Sequence, residues 1–168
     1  MSAVLDGARE VLVPTNLLAL IAFGLLTGRS AGPNSRVTLA SFAIGLLAGA
    51  LLIALGLRDP PAANVLLALA ASIGVIVAIG SPLPQIIQIP VAFATGTAIA
   101  LNAPPQAVTL PTAIAAQFGS GIAALAATGV VAFVTLIAQN GWQRFGLRIV
   151  GSWMAASAIL VLALRLAR

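Results

Sequence analysis

The side chains able to do chemistry inside this chain are amides, hydroxyls and guanidinium groups. It contains no His, Cys or Tyr, and its eight basic residues are all Arg. Without Lys there is no retinal Schiff base. Without His and Cys the common haem, zinc, copper and nickel sites have no ligands, and Met1 and Met154 alone do not make one. The three acids, Asp6, Glu10 and Asp59, all fall outside the apolar runs, so the usual intramembrane carboxylate relay is missing too. A Ser or Thr nucleophile would have no base to activate it, and metal-assisted hydrolysis would have no metal site. The expectation is a protein that is not an enzyme and carries no cofactor.

What remains is neutral and polar. Thr15 and Asn16 start the first apolar run, Asn64 starts the third, Thr95 and Thr97 lie in the fourth with Asn102 at its end, and Gln117 lies early in the fifth. A polar side chain facing hydrocarbon is costly unless it finds a partner, so these groups should face inward. Two readings stay open. Thr15, Asn16, Asn64, Thr95, Thr97 and Gln117 either line a shallow substrate vestibule, or they are hydrogen-bonding glue between helices. Pro14 and Pro90 weaken the backbone ladder nearby, as in the broken helices of transporters.

The elements that would position these groups follow from composition. Hydrophobic residues make up 61% of the 168 and charged residues 7%; mean hydropathy is +1.14. A soluble domain carries about 25% charged residues. Long apolar runs without period-two alternation exclude a membrane barrel and predict an all-α polytopic membrane protein. Six spans are expected, at about 12–28, 37–57, 62–80, 85–101, 112–138 and 144–165, in a single transmembrane domain covering 1–168. The connections carry Gly32-Pro33-Asn34, Arg58-Asp59-Pro60-Pro61, Ser81-Pro82-Leu83-Pro84, Asn102-Ala103-Pro104-Pro105 and Asn140-Gly141. The fifth run contains Gly119-Ser120-Gly121 and is expected either to be helical throughout or to begin as a loop or re-entrant turn. Residues 1–11 read either as a short interfacial helix or as a tail running into the first span; Asp6, Arg9 and Glu10 there do not suit a secretory signal.

An even number of spans places both ends of the chain on one side, called here the terminal side. Asn16, Asn64, Thr95, Thr97, Asn102 and Gln117 then share the terminal half of the membrane. Arg9, Arg58, Arg165 and Arg168 fall on the terminal side, and Arg29, Arg36, Arg144 and Arg148 on the other, so the positive-inside rule gives no orientation. The pI near 12.0 comes from scattered Arg at helix ends; with no basic stripe, nucleic acid is excluded as a partner. The expected partners are the lipid bilayer and either another membrane protein or further copies of the chain. Gln85 and Gln88 read as solvated interfacial residues. Trp142 with Arg144 and Arg148 reads as an interface anchor, the two Arg serving topology or contacting lipid phosphate. Gly24 and Gly28, and Ser41, Gly45 and Gly49, have the four-residue spacing that lets helix backbones approach, within the bundle or across a dimer.

The chain resembles the HupE/UreJ family of small bacterial inner-membrane proteins, which have six spans and are associated with nickel permease roles beside hydrogenase and urease operons. Pro14-Thr15-Asn16-Leu17-Leu18-Ala19-Leu20, followed by Gly24-Leu25-Leu26, is similar to the family's Asp-His-Leu-Leu-Ala-Leu stretch. Phe93-Ala94-Thr95-Gly96-Thr97-Ala98-Ile99-Ala100 is similar to its His-Gly-His-Ala-His-Gly box, and Arg144 through Leu160 to its last span. The ligands are replaced: Thr15 and Asn16 stand for Asp and His, Thr95, Thr97 and Ile99 for three His, and Ala126 for a later His. The resemblance implies a transporter scaffold in a bacterial inner membrane, without the family's metal site. Two functions follow: a small-solute or metal-related transporter or channel with a neutral polar vestibule, or a non-catalytic accessory or scaffold subunit of a larger membrane complex.

Overall fold

The computed structural model of the chain describes residues 13–29, 33–56, 62–80, 83–102, 110–138 and 140–167. They form six helices and no strand: α1 (Pro14–Arg29), α2 (Pro33–Ala54), α3 (Ala62–Ile79), α4 (Gln85–Asn102), α5 (Leu110–Ile137) and α6 (Gly141–Leu166). The expected N-terminal interfacial segment lies outside the described residues. In lipid every backbone N–H and C=O must be satisfied within its own segment, which an apolar run achieves as a helix. α2 to α6 are each long and apolar enough to cross a membrane, and the chain is a multi-pass helical membrane protein. α1 is shorter, with 16 residues, a rise of about 24 Å.

Local chemistry sets several ends. α2 and α3 stop at glycines with positive φ, Gly56 at 83° and Gly80 at 81°. Gly80 N–H bonds back to Ile76 O at 3.1 Å, closing the helix through a left-handed residue that costs glycine little. α6 begins three residues before the expected Arg144, because Asn140 caps it: its N–H donates to Gln143 Oε1 at 3.1 Å, half of a capping box. α5 has no loop or re-entrant start. It runs unbroken through Gly119-Ser120-Gly121, and the Ser120 hydroxyl bonds the Gln117 carbonyl at 2.9 Å without opening the helix. At 28 residues, about 42 Å, it exceeds the hydrocarbon thickness of about 30 Å, so it tilts or projects.

The shortest helix is the central one. α1 buries eleven of its residues, from Thr15 to Gly28, and touches all five other helices. Phe23 of α1 stacks on Phe42 of α2, with ring centroids 4.9 Å apart. By contrast α6 buries only Gly151, Ala155 and Ala158 and presents Trp142, Phe145, Trp153 and Leu160 outward, as a lipid-facing helix does.

Around α1 the bundle is made of three glycine-closed pairs. In α1–α5, a β-carbon at Gly24 would stand 2.7 Å from Val131 Cβ, and one at Gly28 would strike Ala132 O. In α2–α4, a β-carbon at Gly45 would strike Phe93 O, one at Gly49 would stand 2.7 Å from Thr97 O, and one at Gly96 would strike Phe42 O. In α3–α6, a β-carbon at Gly74 would stand 2.9 Å from Gly151 O and 2.8 Å from Ala155 N, and one at Gly151 would stand 2.8 Å from Val77 Cγ1. The first two pairs run parallel and the third antiparallel, as a count of six crossings requires. The Gly24/Gly28 and Ser41/Gly45/Gly49 stripes are therefore occupied within the chain itself.

Candidate functional site

The polar residues singled out in the sequence divide into three groups. The first gathers at the terminal-side end of α1. Asn16 lies in the first turn of α1, fully buried, and Asn102 ends α4; Asn102 Nδ2 donates to Asn16 Oδ1 at 2.7 Å. The two are 86 residues apart, and only the fold brings them together. Thr15 is buried beside Asn16. Gln117 is half-buried in the N-terminal part of α5, which runs parallel to α1, and its Oε1 is buried with no hydrogen-bond partner among the described residues. An orphaned amide oxygen in a low-dielectric setting costs about 1–3 kcal/mol. It is the one amide atom of this region that is buried without a partner among the described residues.

The second group holds the α2–α4 crossing. Thr97 donates to Gly45 O at 3.1 Å and to its own Phe93 O at 3.0 Å, so its hydroxyl points at α2 and away from Asn16. Ser41 donates to Ile89 O at 2.9 Å. Gln88 is not a solvated interfacial residue: it is buried, its Nε2 donating to Leu83 O at 2.8 Å and its Oε1 accepting from Thr38 at 3.4 Å. The close α2–α4 approach imposed by the glycines encloses it. Thr95, two residues before Thr97, faces the opposite way. It is fully buried and donates to Val91 O one turn back at 2.7 Å.

The third group is dispersed. Asn64 is half-buried in the first turn of α3, apart from the Asn16–Asn102 pair. Trp142, Arg144 and Arg148 are exposed on the first turns of α6, at the opposite end of the bundle.

Sequence reasoning missed Arg29, on the inner end of α1. Its Nη1 and Nη2 donate to Val77 O and Gly80 O at 2.6 and 3.0 Å, capping the last carbonyls of α3. No local signal marks this role, since the acceptors are backbone atoms 48 and 51 residues away. Thr128, buried in α5 beside Gly24, also escaped notice; its Oγ1 has no partner among the described residues.

Among the described residues no three His, Cys, Asp or Glu side chains converge. Chemically the arrangement can donate and accept neutral hydrogen bonds at one end of α1 and present positive charge at the other. No protein-family model, curated protein or solved structure matches the chain.

Proposed function

We propose that this protein is an integral protein of a bacterial inner membrane, resembling the HupE/UreJ scaffold, that admits a small neutral or weakly charged solute at the terminal-side end of its central helix. The carrying observation is the combination of the Asn16–Asn102 amide pair with the unsatisfied Gln117 Oε1. Neutral amides at the mouth of a helix shorter than the bilayer suit a solute that itself gives and takes hydrogen bonds. They do not suit a divalent cation, whose dehydration calls for carboxylate or imidazole ligands. Catalysis has no place in this reading.

Stopped-flow light scattering of proteoliposomes, with glycerol as the neutral probe, tests it. The expected result is entry faster than into protein-free liposomes, with the gain lost in Asn16→Leu and in Gln117→Leu. The second variant matters because the Gln117 oxygen has no bond to lose among the described residues, so its loss of flux reports on solute contact rather than on folding. Wild-type flux equal to that of empty liposomes would count against transport of this class.

One observation favours the second reading, a non-catalytic accessory subunit. Thr27, Thr95 and Thr135 each turn the hydroxyl back to a carbonyl one turn earlier, and Ser41 and Thr97 are committed to the α2–α4 crossing. A dry bundle of this kind holds partners rather than passing solutes. It predicts co-purification with another membrane protein at fixed stoichiometry.

A further inference from the structure

The two ends of the bundle differ in charge. The end where α1, α3 and α5 finish carries Arg29, Arg36, Arg144 and Arg148. The connections that join helices there, 30–32, 80–84 and 138–140, contain no Asp or Glu. Four Arg and no acid give +4. The remaining four Arg and all three acids give +1, and the two add to the chain's +5.

Two of these arginines meet at the end of α3, and Arg144 stands one helical turn before the second of them on α6. Arg29 grips the end of α3 through Val77 O and Gly80 O. Gly80 is also the seat of Arg148: a β-carbon there would stand 2.6 Å from Arg148 Nη2 and 2.8 Å from its Cζ. Two guanidinium groups therefore meet at one glycine. Residues 144, 148, 151 and 155 share one face of α6. Gly151 packs on Val77 and Ala78, so α6 overhangs the end of α3 by the turns that carry Arg148 and then Arg144. Arg29 lies past the apolar run 12–28. Its pKa is lowered, first by burial, then by the charges of Arg148 and Arg144. Capping α3 needs one guanidinium, and Arg29 supplies it. Arg144 and Arg148 are exposed at this end of the bundle and have no carboxylate partner among the described residues, which contain no Asp or Glu.

We infer that Arg148 and Arg144, organised over Gly80 by Arg29, form a binding site for a phosphate group at the membrane surface. Planar guanidinium forks match phosphate oxygens in pairs. The group can come from the headgroup of an anionic phospholipid, with acyl chains along the exposed Phe145 and Ile149 face of α6, or from phosphate in solution. The site is at the opposite end from the amide pair and stands whether or not that pair admits a solute.

Native mass spectrometry of the full chain in detergent, titrated separately with phosphatidylglycerol, phosphatidylcholine and inorganic phosphate, tests it. Phosphatidylglycerol should bind in preference to phosphatidylcholine. Arg144→Gln with Arg148→Gln should weaken that binding about thirtyfold, and Arg144→Gln alone about fivefold. Arg165→Gln, at the other end, should leave it unchanged. Binding of inorganic phosphate that is lost in the double variant, without lipid preference, supports the same site with a solution source. Circular dichroism checks that the double variant folds; Arg144, whose guanidinium bonds no carbonyl among the described residues, carries the test if it does not. Equal phosphatidylglycerol and phosphate binding by wild type and Arg144→Gln overturns the site.

Discussion

Asn16 and Asn102 make the side-chain bond that ties the mouth of α1 to α4. In lipid such a bond is worth about 0.6–2 kcal/mol. A double-mutant cycle with Asn16→Leu and Asn102→Leu, followed by unfolding in detergent, should return a coupling in that range; additive single effects would show that the amides do not act as a pair. Thr128 behaves oppositely. Its hydroxyl is fully buried with no partner among the described residues, so Thr128→Val removes an unsatisfied group and preserves shape. Stability should hold or rise by about 1 kcal/mol. Neither outcome could be anticipated from the residue type, since Asn16 and Thr128 are both uncharged polar residues in apolar runs. The sequence placed Asn16, Thr95 and Gln117 at a common depth, but depth does not give direction around the helix. Thr95 and Thr97 show this, because two residues on an α-helix point to opposite sides.

At the scale of elements, the helices were legible from hydropathy, and their ends less so. The α6 start depended on a capping box at Asn140 and Gln143, and the α5 start on whether Gly119-Ser120-Gly121 would break a helix. It does not, because lipid leaves the backbone no other partner. The pairs rest on glycine. Gly45→Ala would drive a methyl into the Phe93 carbonyl, a clash with backbone that cannot swing aside, and should cost about 1–3 kcal/mol. Gly121→Ala meets open space and should be neutral or gain up to about 1 kcal/mol from helix propensity. Thermal melting of the two variants in the same detergent compares them directly; equal losses would show that glycine proximity does not hold α2 to α4. Gly24, Gly28, Gly45 and Gly49 could be picked out by their spacing. Gly74, Gly96 and Gly151 could not: Gly74 and Gly96 are each the single glycine of their helix, Gly151 stands five residues from Gly146, and each acquires meaning only from the atoms of the helix facing it.

For the whole molecule, the arrangement requires that α1, short as it is, completes a crossing. The chain has no native Cys, so single cysteines report cleanly. Val13→Cys, Leu55→Cys and Arg165→Cys should react with a membrane-impermeant maleimide from one side, and Arg36→Cys and Gln143→Cys from the other. Labelling of Val13→Cys on the same side as Arg36→Cys would mean that α1 does not cross. The same experiment supplies the orientation that four Arg against four leave undecided.

Residence in a bilayer, the number of helices and the lack of His, Cys, Lys and Tyr were determined by the sequence alone, because hydropathy is additive along a segment and a missing residue type is missing in any fold. Tertiary structure decided that the shortest helix is central, which helices pair, and that Asn16 meets Asn102 while Arg29 and Arg148 meet at Gly80. Apolar helix faces are nearly interchangeable to lipid, so their partners are chosen by where one backbone fits against another, and that fit is not written in any single segment.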